Sequence, residues 1–136
     1  MVAAVAERVQ QAGQALATVQ EAIAGDDGTV IRRNATLLRF AYTAEPLWKA
    51  QRAVLLAADG VETGSPKGTV REARTYGYLS DEDAKIATEA LDARNLVLHS
   101  YKEQLARNLH QRIKAFLPVL ERWHAALTAS LGKLAP

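Results

Sequence analysis

"SYKEQLARNLHQRIKAFLPVLERWHAALTASL", residues 100–131, carries Leu105, Leu109, Ile113, Phe116, Leu120, Trp123 and Leu127 at spacings of three and four. Those offsets put seven large apolar side chains on one side of an α-helix. A stripe this long must lie against other helices. Ser100 with Glu103 three residues later predicts a capping box. The spacing therefore predicts a chain break at His99–Ser100 and a helix from there to about Leu131.

Upstream, the same logic repeats. Ser80 with Asp83, and with Asp81 and Glu82 in the first turn, opens a helix over roughly 81–99. Ser65 followed by Pro66 caps a short helix that ends near "YGY", residues 76–78. Before it, "GVETGSPKG" (60–68) reads as a loop. A second helix is predicted from about Val30 to Asp59, with Leu37, Ala41, Ala44, Trp48 and Leu55 on one face. Pro46 lacks an N–H and pushes against the Tyr42 carbonyl, which predicts a kink. The first helix carries Val2, Val5, Val9, Ala12, Leu16, Val19 and Ile23 and stops at "GDDG", residues 25–28. Short connections between long amphipathic helices predict an all-α antiparallel bundle of four long helices plus one short one. Residues 1–136 read as one domain.

Composition narrows the function. The 136 residues include no cysteine, which removes disulfides and thiolate metal sites. No apolar run approaches a membrane span. "MVAAVAERVQQAGQ" has no basic n-region, so no export signal is read and the cytoplasm is the default location. The net charge of +2 permits nucleic-acid binding without arguing for it. "GSPKGT" lacks phosphate-loop spacing and no strand precedes it. His110 and His124 have no metal-ligand partner at i+4 and read as surface or satisfied residues. Asp81, Glu82 and Asp83 read as helix-start acids. Trp48 and Tyr42 lie on or beside the second helix's apolar face and read as core packing.

The helix over 81–99 poses the functional question. Ala87, Leu91, Arg94, Leu98 and Tyr101 form one row of its wheel, and Asp92, Asn95 and His99 the next. A guanidinium in line with core leucines is costly to bury unpaired. Two readings stay open. Arg94 has a carboxylate partner, Asp92 or one from another helix, or its face is sealed only when something binds. On the second reading Arg94 is a phosphate clamp and His99 a general acid or base.

"RNLVLHSY", residues 94–101, resembles the Arg-x4-His-x-Tyr motif of the HEPN superfamily, in the branch encoded beside minimal nucleotidyltransferases. "TLLRFAYTAEPLWKA" (36–50) and "GSPKGTVREARTYGYLSD" (64–81) resemble two further segments of that branch, in the family's order. Together the three blocks cover roughly residues 30–115. The resemblance implies a helical homodimer whose motif helices meet at the dimer axis. It implies a toxin-type, metal-independent endoribonuclease with tRNA or mRNA as candidate substrates, needing no metal or cofactor. A partner nucleotidyltransferase antitoxin would silence it by adding AMP to the motif tyrosine. Carried over, Arg94 and His99 are the catalytic pair, Asn95 the polar residue beside the arginine, and Tyr101 the AMP acceptor. Others of this branch are named only as substrate-binding subunits of a nucleotidyltransferase, which keeps a non-catalytic nucleotide- or RNA-binding role as the alternative.

Three departures stand out. Ala41 occupies a position where the family often has glutamate, which leaves that carboxylate's role vacant. Pro46 interrupts the second helix. Lys102 replaces a common acid after the tyrosine. Between residues 94 and 114, Arg94, Lys102, Arg107, Arg112 and Lys114 face a single acid, Glu103. Lys102 and Arg107 are accordingly the expected RNA contacts.

Overall fold

The computed structural model describes residues 2–134 and is helical throughout, without a strand among them. Helix α1 spans Val2–Ala24, α2 Val30–Val54, α3 Pro66–Thr75, α4 Asp81–Leu96 and α5 Glu103–Leu131. The predicted all-α bundle is what forms.

Helices α1 and α2 make the most extensive pairing, joined by a turn built from Asp26 and Asp27. The Gly28 amide donates to Asp26 Oδ1 at 3.0 Å, and both the amide and hydroxyl of Thr29 donate to Asp27 Oδ1. Thr29 then caps α2 by accepting from the Arg32 amide. The other capping expectations hold at α3 and α4: Ser65 accepts from the Gly68 amide and Ser80 from the Asp83 amide.

α2 is the central element, packed against α1, α3, α4 and α5. Its burial therefore spreads round the helix. Leu37, Phe40, Ala44, Leu47, Trp48, Ala50 and Val54 are all in the core. Ala41, predicted for the apolar face, is only half-buried. Tyr42, read as core, is 66% exposed. α2 runs through Pro46 without a break, so the proline does not interrupt it. The residue one turn back, Tyr42, faces solvent, where its unpaired carbonyl can meet water. After Val54 the chain widens into a π turn over Leu55–Asp59 and stops at Gly60, whose φ of +68° suits only glycine without strain.

The stripes of α1 and α5 bury over Val5 to Val19 and Leu109 to Leu127, whereas at their ends Val2 is exposed and Ile23 and Leu105 are half-buried. Two side-chain hydrogen bonds tie α5 to the helices beside it. The Trp123 indole N–H donates to Gln51 Oε1 at 2.7 Å, linking α5 to α2. His124 Nε2 lies 3.0 Å from the Val9 carbonyl and links α5 to α1.

The predicted break before α5 exists, but its chemistry differs. α4 ends at Leu96, and Val97–His99 form a single 3₁₀ turn. The N-cap of α5 is Lys102, with no side-chain cap; Ser100 stays within the turn. Glu103 does not reach back to form a capping box because Arg33 holds its carboxylate through two bonds, at 2.6 and 3.0 Å. A charge-assisted pair of that geometry outweighs one neutral cap bond.

Candidate functional site

The end of α4 and the turn after it hold the residues singled out by the sequence. Arg94 lies at the last turn of α4, its side chain 27% exposed. Its Nη1 donates to Glu45 Oε2 of α2, and its Nη2 donates to Asn95 Oδ1 at 3.0 Å. A guanidinium has five donors, so this anchoring leaves others available to a ligand. Of the two readings of Arg94, the carboxylate from another helix is the one realised, and the guanidinium is nevertheless accessible.

Glu45 had not been singled out. It is the one acid between Val30 and Ala58, among the cations Arg32, Arg33, Arg39, Lys49 and Arg52. That isolation was the signal that could have found it. Glu45, one turn after Ala41, is the α2 carboxylate that meets Arg94. Trp48 Nε1 donates to the same Oε2 at 3.2 Å, and Lys49 lies 3.3 Å from Oε1. Burial pushes the Glu45 carboxyl up, but the bonds from Trp48 and Lys49 and the charge of Arg94 outweigh it and hold it below its ordinary range. Glu45 is thus an anion at neutral pH, fixed by three donors.

His99 and Tyr101 follow on the exposed turn. Their ring centroids lie 6.5 Å apart, edge to face. Leu98 and Tyr101 do not continue the core row of Leu91: they are 86% and 77% exposed. The row ends because the backbone leaves α-helical geometry after Leu96, and a 3₁₀ turn rotates successive side chains to new directions. Leu96, Leu98 and Tyr101, with Leu38 and Tyr42 on α2, place large exposed apolar side chains on the elements that carry the motif.

Downstream, Lys102 is exposed and in no ion pair among the described residues, whereas the other expected RNA contact, Arg107, donates to Glu103 at 2.9 Å. Arg33 and Arg107 together hold the Glu103 carboxyl down at about 2. Lys114 pairs with Asp26 at 3.0 Å, and Arg112 lies over the Phe116 ring. Much of the positive charge read along 94–114 is therefore already matched.

The remaining histidines differ from each other. His124 is satisfied, as predicted. His110 is not a surface residue: it is buried, with Nε2 unbonded and 3.5 Å from Asp26. Burial, and then the Lys114 charge, push its pKa down. Asp81 and Asp83 serve as helix-start acids and pair with Arg74 and Arg122. No cluster of side chains suited to a metal ion exists among the described residues, and no helix there is long and apolar enough to cross a membrane.

The bundle and its motif turn can be set beside known proteins. Residues 7–129 match the family described as "nucleotidyltransferase substrate binding protein like", an all-helical, HEPN-like family. The chain belongs to that family. A crystal structure of a protein from Thermus thermophilus is similar at 38% identity and a TM-score of 0.78, covering 92% of this chain and 99% of that one. No significant match is found among curated proteins.

Proposed function

We propose that the chain is a toxin-type, metal-independent endoribonuclease that works as a homodimer, with Arg94 and His99 as the catalytic pair and Asn95 holding Arg94 in place. The observation that carries the reading is the anchored, accessible Arg94 guanidinium with His99 and Tyr101 exposed on the turn that follows. The 2′-hydroxyl attacks the adjacent phosphorus, and the 5′-oxygen leaves. His99 moves one proton, and Arg94 stabilises the doubly charged phosphorane. One chain offers one histidine at the motif, and a second copy supplies the other acid–base group. Exposed Leu98, Leu38 and Tyr42 support such an apposition, because exposed apolar side chains near a site are more stable when covered.

The family's description favours a nucleotidyltransferase as the partner. In this reading the phenol oxygen of Tyr101 attacks the α-phosphorus of ATP, pyrophosphate leaves and AMP stays on the tyrosine. The new anion competes for the guanidinium that RNA needs. Lys102, unpaired, contacts RNA at the same turn, and Arg107 does so if it leaves Glu103.

The second reading is a non-catalytic subunit that presents nucleotide or RNA to the nucleotidyltransferase, and the same family description favours it. RNA cleavage in EDTA separates the two. The wild type should cut, and His99→Ala and Arg94→Ala should not. If wild type and variants are equally inert while the partner still binds, the second reading stands. Mass spectrometry after incubation with the partner and ATP should find AMP on wild type and none on Tyr101→Phe.

A further inference from the structure

α3 and α4 enclose a groove that meets the motif residues only at one end. Along α3, Lys67, Arg71 and Arg74 recur at i, i+4 and i+7 and are all exposed. They line a cleft of about 290 Å³ whose other wall is Asp81, Lys85 and Thr88 of α4. At Lys67 this cleft adjoins a second, of about 320 Å³, which ends on Asp92, Arg94 and Asn95. Val70 and Ala84 contribute an apolar floor to the first, and Pro66 and Leu91 to the second.

We propose that this groove is a track for a single RNA strand, delivering it to Arg94. The proposal rests on the reading of Arg94 as the phosphate clamp. It adds the path by which the substrate arrives, and the residues that hold it, Lys67, Arg71, Arg74 and Lys85.

Four features favour a polyanionic strand. Five cations line the two clefts (Lys67, Arg71, Arg74, Lys85 and Arg94) against two carboxylates, Asp81 and Asp92. Arg71 and Lys85 have no carboxylate partner among the described residues, and their charge is free for phosphates. Lys67–Asp92 and Arg74–Asp81, both at 2.9 Å, join side chains that are each more than half exposed. Such pairs contribute little, so phosphates can replace the carboxylates at small cost. Finally, Lys67, Arg71 and Arg74 are strung along about 10 Å of α3, which matches two or three nucleotides of extended backbone. The apolar floor lets bases or riboses lie between them.

The test is binding of a short fluorescent oligouridine, 2′-O-methylated throughout. Such a strand cannot be cut, so the readout does not depend on whether the chain is a ribonuclease. The double variant Arg71→Glu/Lys85→Glu should bind about tenfold or more weakly at roughly 0.1 M salt, and its salt slope should fall by about 1.4, at about 0.7 per lost contact. Both residues are exposed, so folding is preserved and circular dichroism will verify it. Arg8→Glu, on exposed α1, matches one charge change outside the groove and should bind like the wild type. Binding by the groove variant equal to wild type would overturn the track, as would no binding by wild type. A protein that binds RNA through the groove but fails to cut it in EDTA would keep the track and remove the ribonuclease reading alone.

Discussion

The Arg94 guanidinium of α4 donates to the Glu45 carboxylate of α2, a bond across 49 positions of sequence. It is the contact that fixes the catalytic arginine of the proposed site, and it joins two partly exposed side chains. Exposed pairs add at most about 1 kcal/mol to stability. Glu45→Ala should therefore lower the melting temperature by only a few degrees while cutting RNA cleavage by tenfold or more, since misplaced catalytic groups are costly. Glu45→Gln keeps an acceptor and should recover part of the rate. Full activity in Glu45→Ala would remove the positioning role.

Glu103 makes acid stability predictable in sign. Its folded pKa is depressed from 4.5 to about 2 by Arg33 first and Arg107 second. A depressed carboxylate adds stability that is present above its unfolded pKa and lost as pH falls through the folded one. Thermal midpoints should fall between about pH 4.5 and 2, and Glu103→Gln should flatten part of that limb. Identical acid limbs in the two proteins would contradict the pairing. Asp26, Asp27, Glu45 and Asp83 are also depressed, so the variant should not abolish the loss.

Gly13 packs against a ring. A Cβ built there meets His124 Nε2 at 2.7 Å and Cε1 at 2.8 Å. Alanine normally favours a helix by about 1 kcal/mol over glycine. Here Gly13→Ala should instead destabilise by about 1–3 kcal/mol through overpacking. The double variant Gly13→Ala/His124→Ala should show strong coupling in urea melts. A stabilised Gly13→Ala would mean that the ring moves aside freely.

The Trp123–Gln51 bond is buried between α5 and α2, and Gln51 Nε2 is already without a partner. Trp123→Phe removes the donor, leaves the oxygen unsatisfied and trims a filled core. The cost should be about 2–4 kcal/mol, read by urea unfolding. Gln51→Leu alone leaves the indole N–H orphaned and should cost about 1–3 kcal/mol. A neutral result for both would mean that water reaches the pair.

What spacing can read is local. The stripes of α1 and α5, and the caps Ser65 and Ser80, depend on residues within one or two turns, and they stand in the fold apart from Val2, which is exposed at the end of its stripe. α2 was harder because its burial is set by four neighbours, which hides the one-sided pattern and left Tyr42 misplaced. Long-range ion pairs defeat spacing altogether. The Glu45–Arg94 and Arg33–Glu103 partners lie on helices whose adjacency no local pattern encodes, and the second of them displaced the capping box expected at Ser100. The motif turn itself was legible only through resemblance; its 3₁₀ geometry, which brings Leu98 and Tyr101 to the surface, was not.

Arg94 and Glu103 bracket the motif turn, and α2 grips both, offering an anion at Glu45 and a cation at Arg33. The two fasteners have opposite polarity. Laid across α2 back to front, the turn would set arginine on arginine and glutamate on glutamate. Charge alone thus gives the segment a heading, so that the histidine and tyrosine are presented in one order along the helix beneath them.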